Sequence, residues 1–273
     1  MSRIVSLARA LAKTPLHRVL RGTHRKLSRY MDVAGNWGNG DEATNGEAFL
    51  VRCAGPHLQS AFDVGANLGL WSRLLAGVNP RCRIEAFEAS PETYRHLTEN
   101  LRDCPSVIPH PLGMGEREGS LEFLDYGPDS GLSSFVSRKT TTGLDAQRRI
   151  EVPVTTVDAF LAKAGMDAVD FIKIDTEGFE MPILRGMRDT LRARRVRFIQ
   201  FEYGGTWLDA RETLAGACEL MAAHGYRLYR LMPASLEWVD YRPAQHECFK
   251  YSNFGAVADE EVLRRWNIPI THG

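Results

Sequence analysis

The segment that most constrains how this chain can fold is residues 61–71, which read AFDVGANLGLW. An apolar run that ends in DVG (residues 63–65) and continues as NLG predicts a buried strand that turns sharply into a helix. Gly65 and Gly69 carry no Cβ atom, so the backbone at this turn can approach a ligand closely. The segment therefore predicts a parallel strand with a binding site at its carboxyl end.

The spacing of these two glycines separates different kinds of nucleotide site. A dinucleotide site typically reads GxGxxG, and a P-loop ends in Gly-Lys-Ser or Gly-Lys-Thr. Here the glycines are four positions apart, and Asp63 precedes the first of them. This pattern disfavours NAD, FAD and nucleoside triphosphates as ligands. The pattern DxGxxxG resembles motif I of the S-adenosylmethionine-dependent methyltransferases.

A second apolar segment, residues 82–88, ends in Glu88, which follows Asp63 by 25 residues. In strand-helix-strand nucleotide folds, an acid roughly 20 residues beyond the first turn accepts hydrogen bonds from ribose hydroxyls. The alternative is that Glu88 only starts the next helix. Because Ser90 as cap and Pro91 at the first helical position already explain that start, we interpret Glu88 as a ribose ligand.

A later segment, residues 169–180, reads VDFIKIDTEGFE. Its apolar part predicts a buried strand, yet Lys173 and Asp175 are two positions apart and therefore share one face. Unpaired charges there would cost on the order of several kcal/mol, so both residues need partners or a function. The next predicted strand, residues 197–203, again carries an acid, Glu202, at its end.

Four predicted strands thus end in a carboxylate, at Asp63, Glu88, Asp175 and Glu202. The carboxyl ends of parallel strands lie along one edge of a sheet, and ligands bind in the crevice outside that edge. Helix capping explains one or two such acids. Four of them on otherwise apolar strands predict a shared site.

Three blocks, DVGANLG, EAFEASPE and FIKIDTEGFE, together resemble the FkbM family of methyltransferases over roughly residues 45–257. The resemblance implies a class I methyltransferase fold and S-adenosylmethionine as methyl donor. It also implies transfer of the methyl group to a hydroxyl of a sugar or a polyketide-type natural product. In place of the small residue and acid that usually end the family's third-strand block, this chain has Gly113-Met114-Gly115.

We therefore predict an α/β, Rossmann-like fold with helices on both faces of a mostly parallel sheet. Seven strands are expected, near residues 60, 83, 108, 171, 198, 227 and 253, the last two forming an antiparallel closing pair. Residues 1–45 are expected to form a basic helical arm and link, and residues 46–273 the catalytic domain. An insertion at about 115–156 contains two strand-like segments and a polar loop that could cover the site.

The predicted roles of the site residues follow from the motifs and the family resemblance. For catalysis we select Asp175 and Glu202 as candidate bases. Lys173 is the residue that we expect to orient one of them or to shift its pKa. The acceptor is expected to contact Glu177, Tyr203 and Trp207. The donor is expected to contact Asp63, Gly65, Ala66, Asn67, Gly69, Glu88, Ala89, Gly113 and Met114.

Sequence spacing does not distinguish a general base from a metal ligand. Asp175 and Glu202 could instead bind Mg²⁺, because hard divalent ions prefer carboxylate oxygens. Two other functions stay open at this point: a donor-binding module without turnover, and a NAD-dependent oxidoreductase, which the glycine spacing disfavours. The partner expected is a small-molecule or glycan acceptor. Nucleic acid is not expected, because the catalytic part has no basic stripe.

The formal net charge of zero conceals a basic amino-terminal stretch. Residues 1–30 contain eight Lys or Arg and no acid, with Ile4, Leu7, Ala8 and Leu11 at helical spacing. The alternatives are a helix packed on the catalytic domain or on a sister subunit of a homo-oligomer, and a peripheral helix on an anionic membrane surface.

Composition fits a soluble enzyme domain, with 44 % hydrophobic and 25 % charged residues and no apolar run long enough to span a bilayer. The five cysteines are scattered without C-x-x-C pairs, which suggests neither a zinc site nor a disulfide framework. We therefore expect a cytoplasmic protein, with the inner face of the membrane as the place of any lipid contact.

Overall fold

The structure, a computed structural model, describes residues 12, 14–127 and 130–272. Its helices are α1 (Pro15–Ala34), α2 (Glu47–Ala54), α3 (Leu70–Val78), α4 (Pro91–Asn100), α5 (Lys139–Thr142), α6 (Val157–Ala164), α7 (Glu180–Arg185), α8 (Arg188–Arg192), α9 (Thr206–Ala210), α10 (Leu214–Ala223), α11 (Pro243–His246) and α12 (Glu261–Arg265). Its strands are β1 (Ser60–Val64), β2 (Arg83–Phe87), β3 (Val107–His110), β4 (Gly113–Met114), β5 (Gly119–Asp125), β6 (Arg148–Thr155), β7 (Val169–Ile174), β8 (Val196–Tyr203), β9 (Arg227–Met232), β10 (Ser235–Trp238), β11 (Ser252–Val257) and β12 (Ile270–His272).

The main sheet has nine strands in the order β12-β10-β9-β11-β8-β7-β1-β2-β3. Strands β3, β2, β1, β7 and β8 are parallel, and β11 runs antiparallel between β8 and β9. The predicted class I methyltransferase fold is confirmed, with all seven predicted strands in place. Strands β10 and β12 extend the sheet to nine. Strand β10 forms a tight hairpin with β9, in which Ser235 pairs with Met232.

The sheet is buried on both faces, because β7 is buried at every position and β8 at all but one. Alternate side chains of β7 face opposite sides, as the period of a strand requires. Phe171 packs toward a core layer with Trp71 of α3 and Leu50 of α2. Ile172 packs toward the opposite layer, with residues of α6, α7 and α10. This burial explains the continuous apolar runs in the sequence.

The two glycines of the DVGANLG block are required by contacts within the protein. Gly65 has a φ of 81°, and a Cβ atom there would lie 1.9 Å from the backbone oxygen of Asp175. Gly69 also has a φ of 81° and precedes α3, where a Cβ atom would lie 2.8 Å from the side chains of Leu97 and Leu101. The sequence interpretation gave close approach of a ligand as the reason for both glycines. The structure adds a second reason, which is close packing of the turn against the end of β7 and against α4.

The predicted insertion forms a small second sheet together with β4, which precedes it, and the strand order is β4-β6-β5. Strands β5 and β6 are antiparallel from Gly119 opposite Val154 to Asp125 opposite Arg148. The loop between them returns to the main domain, where the Ser134 hydroxyl donates to the backbone oxygen of Thr176 (2.9 Å). The two strand-like segments of the insertion are therefore strands, and their loop lies beside the carboxyl end of β7.

The amino-terminal helix α1 precedes a link that is fastened to the catalytic body. The Asn36 side-chain amide donates to the backbone oxygens of Asn45 (2.7 Å) and Leu231 (3.1 Å). The predicted amphipathic pattern at Ile4, Leu7, Ala8 and Leu11 lies outside the described residues. Within the described part of the chain, no helix has both the length and the apolarity to cross a bilayer. The division into residues 1–45 and 46–273 stays a prediction.

The close contact at Gly65 predicts a stability difference between two glycine substitutions. Gly65→Ala should lower the free energy of unfolding by about 2–4 kcal/mol, because it adds left-handed strain and a clash with the end of β7. Gly77→Ala is the control, since Gly77 is helical with no atom within 4 Å of the added Cβ. It should raise stability by about 0.5–1 kcal/mol. Urea unfolding without ligand measures both, and a Gly65→Ala protein as stable as wild type would contradict the packing argument.

Candidate functional site

A cavity of about 390 Å³ lies at the carboxyl ends of β1, β2, β7 and β8. This is the edge at which the sequence predicted that four carboxylates converge. Most of the predicted site residues line it: Gly65, Ala66, Asn67, Glu88, Ala89, Gly113, Met114, Lys173, Asp175, Glu177 and Glu202. The site is therefore formed by segments that are far apart in sequence and adjacent in the sheet.

The turn after β1 forms one wall of the cavity. The backbone amides of Gly65 and Ala66 both donate to the backbone oxygen of Phe87, at 3.0 and 2.9 Å. Asn67 follows in a left-handed conformation with a φ of 47°. Its backbone amide donates to Glu88 Oε2 (2.9 Å), so the turn is fixed to the end of β2.

Glu88 is held with its carboxylate at the cavity wall. Its Oε1 accepts from the backbone amide of Ser90 (2.8 Å), and its Oε2 accepts from that of Asn67. Because each ionised carboxylate oxygen has about two acceptor positions, capacity remains for a pair of neighbouring hydroxyls. Burial raises the pKa of Glu88 to about 7, although these amide hydrogen bonds favour the ionised form.

Asp63 and Gly69 are placed differently from the prediction that they contact the donor. Neither lies among the described residues that line the cavity. Asp63 is fully buried and accepts a hydrogen bond from the Ser72 hydroxyl (2.7 Å), which joins β1 to α3. The side chains of Leu97 and Leu101 crowd Gly69 on the side of α4. Both residues thus position the turn from behind the cavity wall.

The opposite wall is apolar and is formed mainly by the insertion. Gly113 and Met114 line it, together with the rings of Phe123 and Phe135, which meet edge to face at 5.0 Å between centroids. A Cβ atom on Gly113 would lie 2.7 Å from the Phe135 ring, so glycine is needed here for close packing of that ring. Such a surface suits the flat face of a purine.

Lys173 and Asp175 form a buried ion pair at the floor of the cavity. The Lys173 ammonium donates to Asp175 Oδ2 at 2.8 Å, and Lys173 is only 4 % exposed. Burial alone would lower the pKa of Lys173, but the carboxylates of Asp175, Glu47 and Asp63 outweigh it and hold the pKa well above its ordinary value. Lys173 therefore remains charged.

Asp175 and Glu202 are neighbouring carboxyl groups with opposite protonation preferences. Burial opposes ionisation of Asp175, but the Lys173 ammonium and hydrogen bonds from Glu202 and Lys173 lower its pKa. Burial and the charges of Asp175 and Glu177 raise the pKa of Glu202 well above the usual range. The pair therefore favours an ionised Asp175 beside a protonated Glu202 that donates to it.

Glu177 completes the carboxyl cluster and has a cationic partner that the sequence interpretation missed. The Arg138 guanidinium, 6 % exposed, pairs with Glu177 Oε2. Burial raises the pKa of Glu177, the charge of Asp175 raises it further, and Arg138 opposes both. Arg138 comes from the insertion, so no motif connected it with β7.

The carboxyl groups of Asp175, Glu177 and Glu202 lie close enough to share a cation, with one oxygen from each within 4.8 Å of the others. Their electrostatic partners, however, do not favour a divalent ion. Asp175 is already paired with Lys173, and Glu177 with Arg138. A metal would have to compete with two fixed cations. The donor set therefore fits proton handling better than Mg²⁺.

Tyr203 and Trp207, predicted to bind the acceptor, lie in the core. Both are at most 1 % exposed and are absent from the cavity lining among the described residues. The Tyr203 hydroxyl donates to Glu247 Oε1 (3.0 Å), and the Trp207 indole donates to the backbone oxygen of Glu202 (3.1 Å). Their polar atoms are thus used by the protein, and the prediction is corrected.

The cavity has two further walls, and the sequence interpretation missed the first of them. One consists of Gly40, Glu42 and Tyr251, from the amino-terminal link and the start of β11. The other is the loop between β5 and β6, which contributes Ser130, Gly131 and Ser133. The loop thus borders the site, in agreement with the expectation that it could cover it.

Comparison with characterised proteins reveals several relatives of low identity. Methyltransferase 1 of Beauveria bassiana is 26 % identical over 163 residues, covering 52 % of this chain and 66 % of that protein. Hexuronic acid methyltransferase AglP of Haloferax volcanii is 24 % identical, covering 57 % and 61 %. The 2-O-methyltransferase NoeI of Sinorhizobium fredii is 24 % identical, covering 52 % and 61 %. The chain thus spans less than two thirds of the length of these relatives.

The family comparison covers the larger part of the chain and the whole carboxyl edge described above. The model of the methyltransferase FkbM domain matches residues 63–228. The match begins at Asp63, at the turn after β1, and includes Glu88, Asp175 and Glu202. The sequence resemblance is therefore confirmed, and this chain belongs to the methyltransferase FkbM domain family.

Proposed function

We propose that the protein is an S-adenosylmethionine-dependent O-methyltransferase that acts on a hydroxyl of a sugar, glycan or related natural product. The observation that carries the proposal is the arrangement at the floor of the cavity, where Asp175 is held by Lys173 and faces the cavity beside Glu202. Family membership supports methyl transfer, the name of AglP supports a sugar acid as acceptor, and the name of NoeI supports transfer to oxygen.

The residues around the turn after β1 fit the nucleoside part of the donor. Glu88 would accept hydrogen bonds from the two ribose hydroxyls, and the wall of Met114, Phe123 and Phe135 would contact the adenine ring. The carboxyl cluster lies on the same cavity and favours a cation near it. When bound, S-adenosylmethionine supplies an electrophilic methyl group on a positively charged sulfur.

Asp175 is the residue that we assign as general base. Lys173 donates to its Oδ2, and the carboxylate would accept the proton of an acceptor hydroxyl as the oxygen attacks the methyl carbon. The carbon–sulfur bond breaks as the carbon–oxygen bond forms, and the proton remains on the carboxyl group until solvent removes it. Lys173 and Glu202 position the base and compensate its charge. Alignment of the hydroxyl with the carbon–sulfur bond supplies a further part of the rate.

The direct test of this activity is transfer of an isotopically labelled methyl group to candidate acceptors. Hexuronic acids, neutral sugars and their nucleotide-linked forms are the first set to screen, with mass spectrometry to locate the new ether. We expect a methyl ether on a carbohydrate hydroxyl. Labelled product on nitrogen or carbon only, across a broad acceptor set, would contradict the proposed O-specificity.

Donor binding should depend on Glu88. Glu88→Gln should weaken S-adenosylhomocysteine binding by about 10–100-fold, because it removes a charged acceptor and turns an amide group toward the donating amides of Asn67 and Ser90. Glu92→Gln is the matched control, since it removes an acid four residues later in the first turn of α4, outside the lining of this cavity. Calorimetric titration compares the two, and equal affinities would contradict the assignment of Glu88.

The raised pKa of Glu88 also predicts the pH dependence of binding. Below about pH 7 the carboxyl group is protonated and accepts fewer hydrogen bonds. The affinity for S-adenosylhomocysteine should therefore fall by about tenfold from about pH 8 to about pH 6. Glu88→Gln should remove most of this dependence. A wild-type affinity that rises on acidification would contradict the role of the ionised carboxylate.

The protonation states predict different effects of two conservative substitutions. Asp175→Asn should lower kcat by about 10²–10⁴-fold, because the base is lost. Glu202→Gln should lower it by less than about tenfold, because the new amide still donates to Asp175 as the carboxylic acid does. Steady-state kinetics with the identified acceptor measures both, and donor titration checks that each variant retains the nucleoside site. A larger loss in Glu202→Gln would identify Glu202 as the base.

The cations paired with the carboxyl cluster predict metal-independent turnover. Activity should persist within about twofold in the presence of EDTA, because Lys173 and Arg138 already compensate two of the three groups. The control is re-addition of Mg²⁺ after chelation. Complete loss with EDTA and recovery with Mg²⁺ would show that Asp175, Glu177 and Glu202 are metal ligands.

A further inference from the structure

Helix α1 exposes a continuous apolar face that no element of the described structure covers. At 3.6 residues per turn, six large apolar side chains fall within an arc of about 160°. All are exposed: Val19 63 %, Leu20 47 %, Leu27 58 %, Tyr30 67 %, Met31 59 % and Val33 72 %. We call these six residues the apolar face of α1. Their exposure is unusual because such a helix normally buries its apolar side.

The other side of α1 is basic. Arg21, Arg25 and Arg29 are exposed on the arc opposite the apolar face, and Lys26 is exposed just inside the edge of that face, between Val33 and Val19. Asp32 is the only acid between residues 15 and 34, and its carboxylate is already paired with the Lys250 ammonium at 2.6 Å. The free charge of the helix is therefore positive.

The apolar face and the positive charge of α1 together favour an anionic lipid surface over a sister subunit as the partner of this helix. Pairing two copies of α1 would bring two basic helices together without acids to compensate them. An anionic bilayer compensates the basic residues and buries the apolar ones at the boundary of headgroups and acyl chains. Long side chains such as Lys26 can extend from the border of the apolar face to the lipid phosphates.

The position of α1 connects this surface with the catalytic cavity. Its carboxyl end continues into Asn36, which is buried and bonded to the body, and the Gly38 amide donates to the backbone oxygen of Tyr251 (2.8 Å). Gly40 and Glu42 of the same link, and Tyr251 itself, line the cavity. A helix that lies on a membrane would therefore hold this wall of the cavity close to the lipid surface.

We propose that the apolar face of α1 docks the protein on an anionic lipid surface as a peripheral, non-spanning helix. Binding to lipid requires only the apolar face and the basic residues of α1. The proposal therefore stands apart from the methyl-transfer chemistry.

The test is co-sedimentation of the full chain with vesicles of phosphatidylglycerol and phosphatidylcholine, against vesicles of phosphatidylcholine alone. Leu27→Gln should weaken binding to the anionic vesicles by about tenfold, because it removes an apolar side chain that the bilayer would bury. Ser28→Gln, the adjacent position on the basic side, is the matched control and should bind as wild type does. Arg25→Gln with Arg29→Gln should weaken binding roughly fivefold for each charge removed.

Folding and self-association are checked with the same proteins. Thermal unfolding of each variant should match wild type, because the changed side chains are exposed. Absence of wild-type binding to the anionic vesicles would overturn the proposal, as would equal binding by Leu27→Gln and Ser28→Gln. Concentration-dependent dimers in analytical ultracentrifugation that Leu27→Gln abolishes would also overturn it, since a second copy would then cover the apolar face.

Discussion

The buried ion pair between Lys173 and Asp175 is the interaction on which the candidate site depends. Lys173 is the cation at the centre of a group of carboxylates that includes Glu47 and Asp63 as well as Asp175. Removing one partner of such a pair typically costs about 3–5 kcal/mol, because the other charge stays buried without compensation. Loss of either partner should therefore destabilise the fold as well as change the charge of the site. The ion pair keeps Asp175 ionised and forces the shared proton onto Glu202.

The rest of the site is arranged around this pair by the geometry of the sheet. Gly65 lets the end of β1 lie against the backbone of Asp175, and the same turn delivers the Asn67 amide to Glu88. The position of Glu88 relative to the carboxyl cluster is therefore fixed by contacts within the protein. The insertion adds Arg138 on the far side, which limits the net negative charge of the cluster.

Much of this arrangement could be predicted from the sequence, because strands buried on both faces appear in it as continuous apolar runs. The apolar runs of β1, β2, β7 and β8 identify the sheet, and the rule that carboxyl ends align brings Glu88, Asp175 and Glu202 together. The sequence did not reveal that the backbone of Asp175 also requires Gly65, since a sequence does not show which part of the protein itself approaches a turn.

Residues contributed by irregular segments were not predictable in the same way. Irregular segments bring three such residues to the site: Arg138 from a loop, Glu42 from the amino-terminal link and Tyr251 from just before β11. These segments have no hydrophobic periodicity that would show which way a side chain points. Tyr203 and Trp207 are the opposite case, because they were predicted to line the site and lie in the core. An aromatic ring with a polar tip has the same sequence signature in a substrate site and in the core, and only the partners Glu247 and the backbone of Glu202 distinguish the two.

The central claim is that one cavity holds the donor nucleoside at Glu88 and the reacting centre at Asp175. A crystal structure with bound S-adenosylhomocysteine tests it most directly. The account predicts that both ribose hydroxyls lie within hydrogen-bonding distance of the Glu88 carboxylate, with the sulfur facing Asp175 and the adenine against Met114 and Phe135. A nucleoside bound elsewhere, or one whose sulfur points away from the carboxyl cluster, would contradict it.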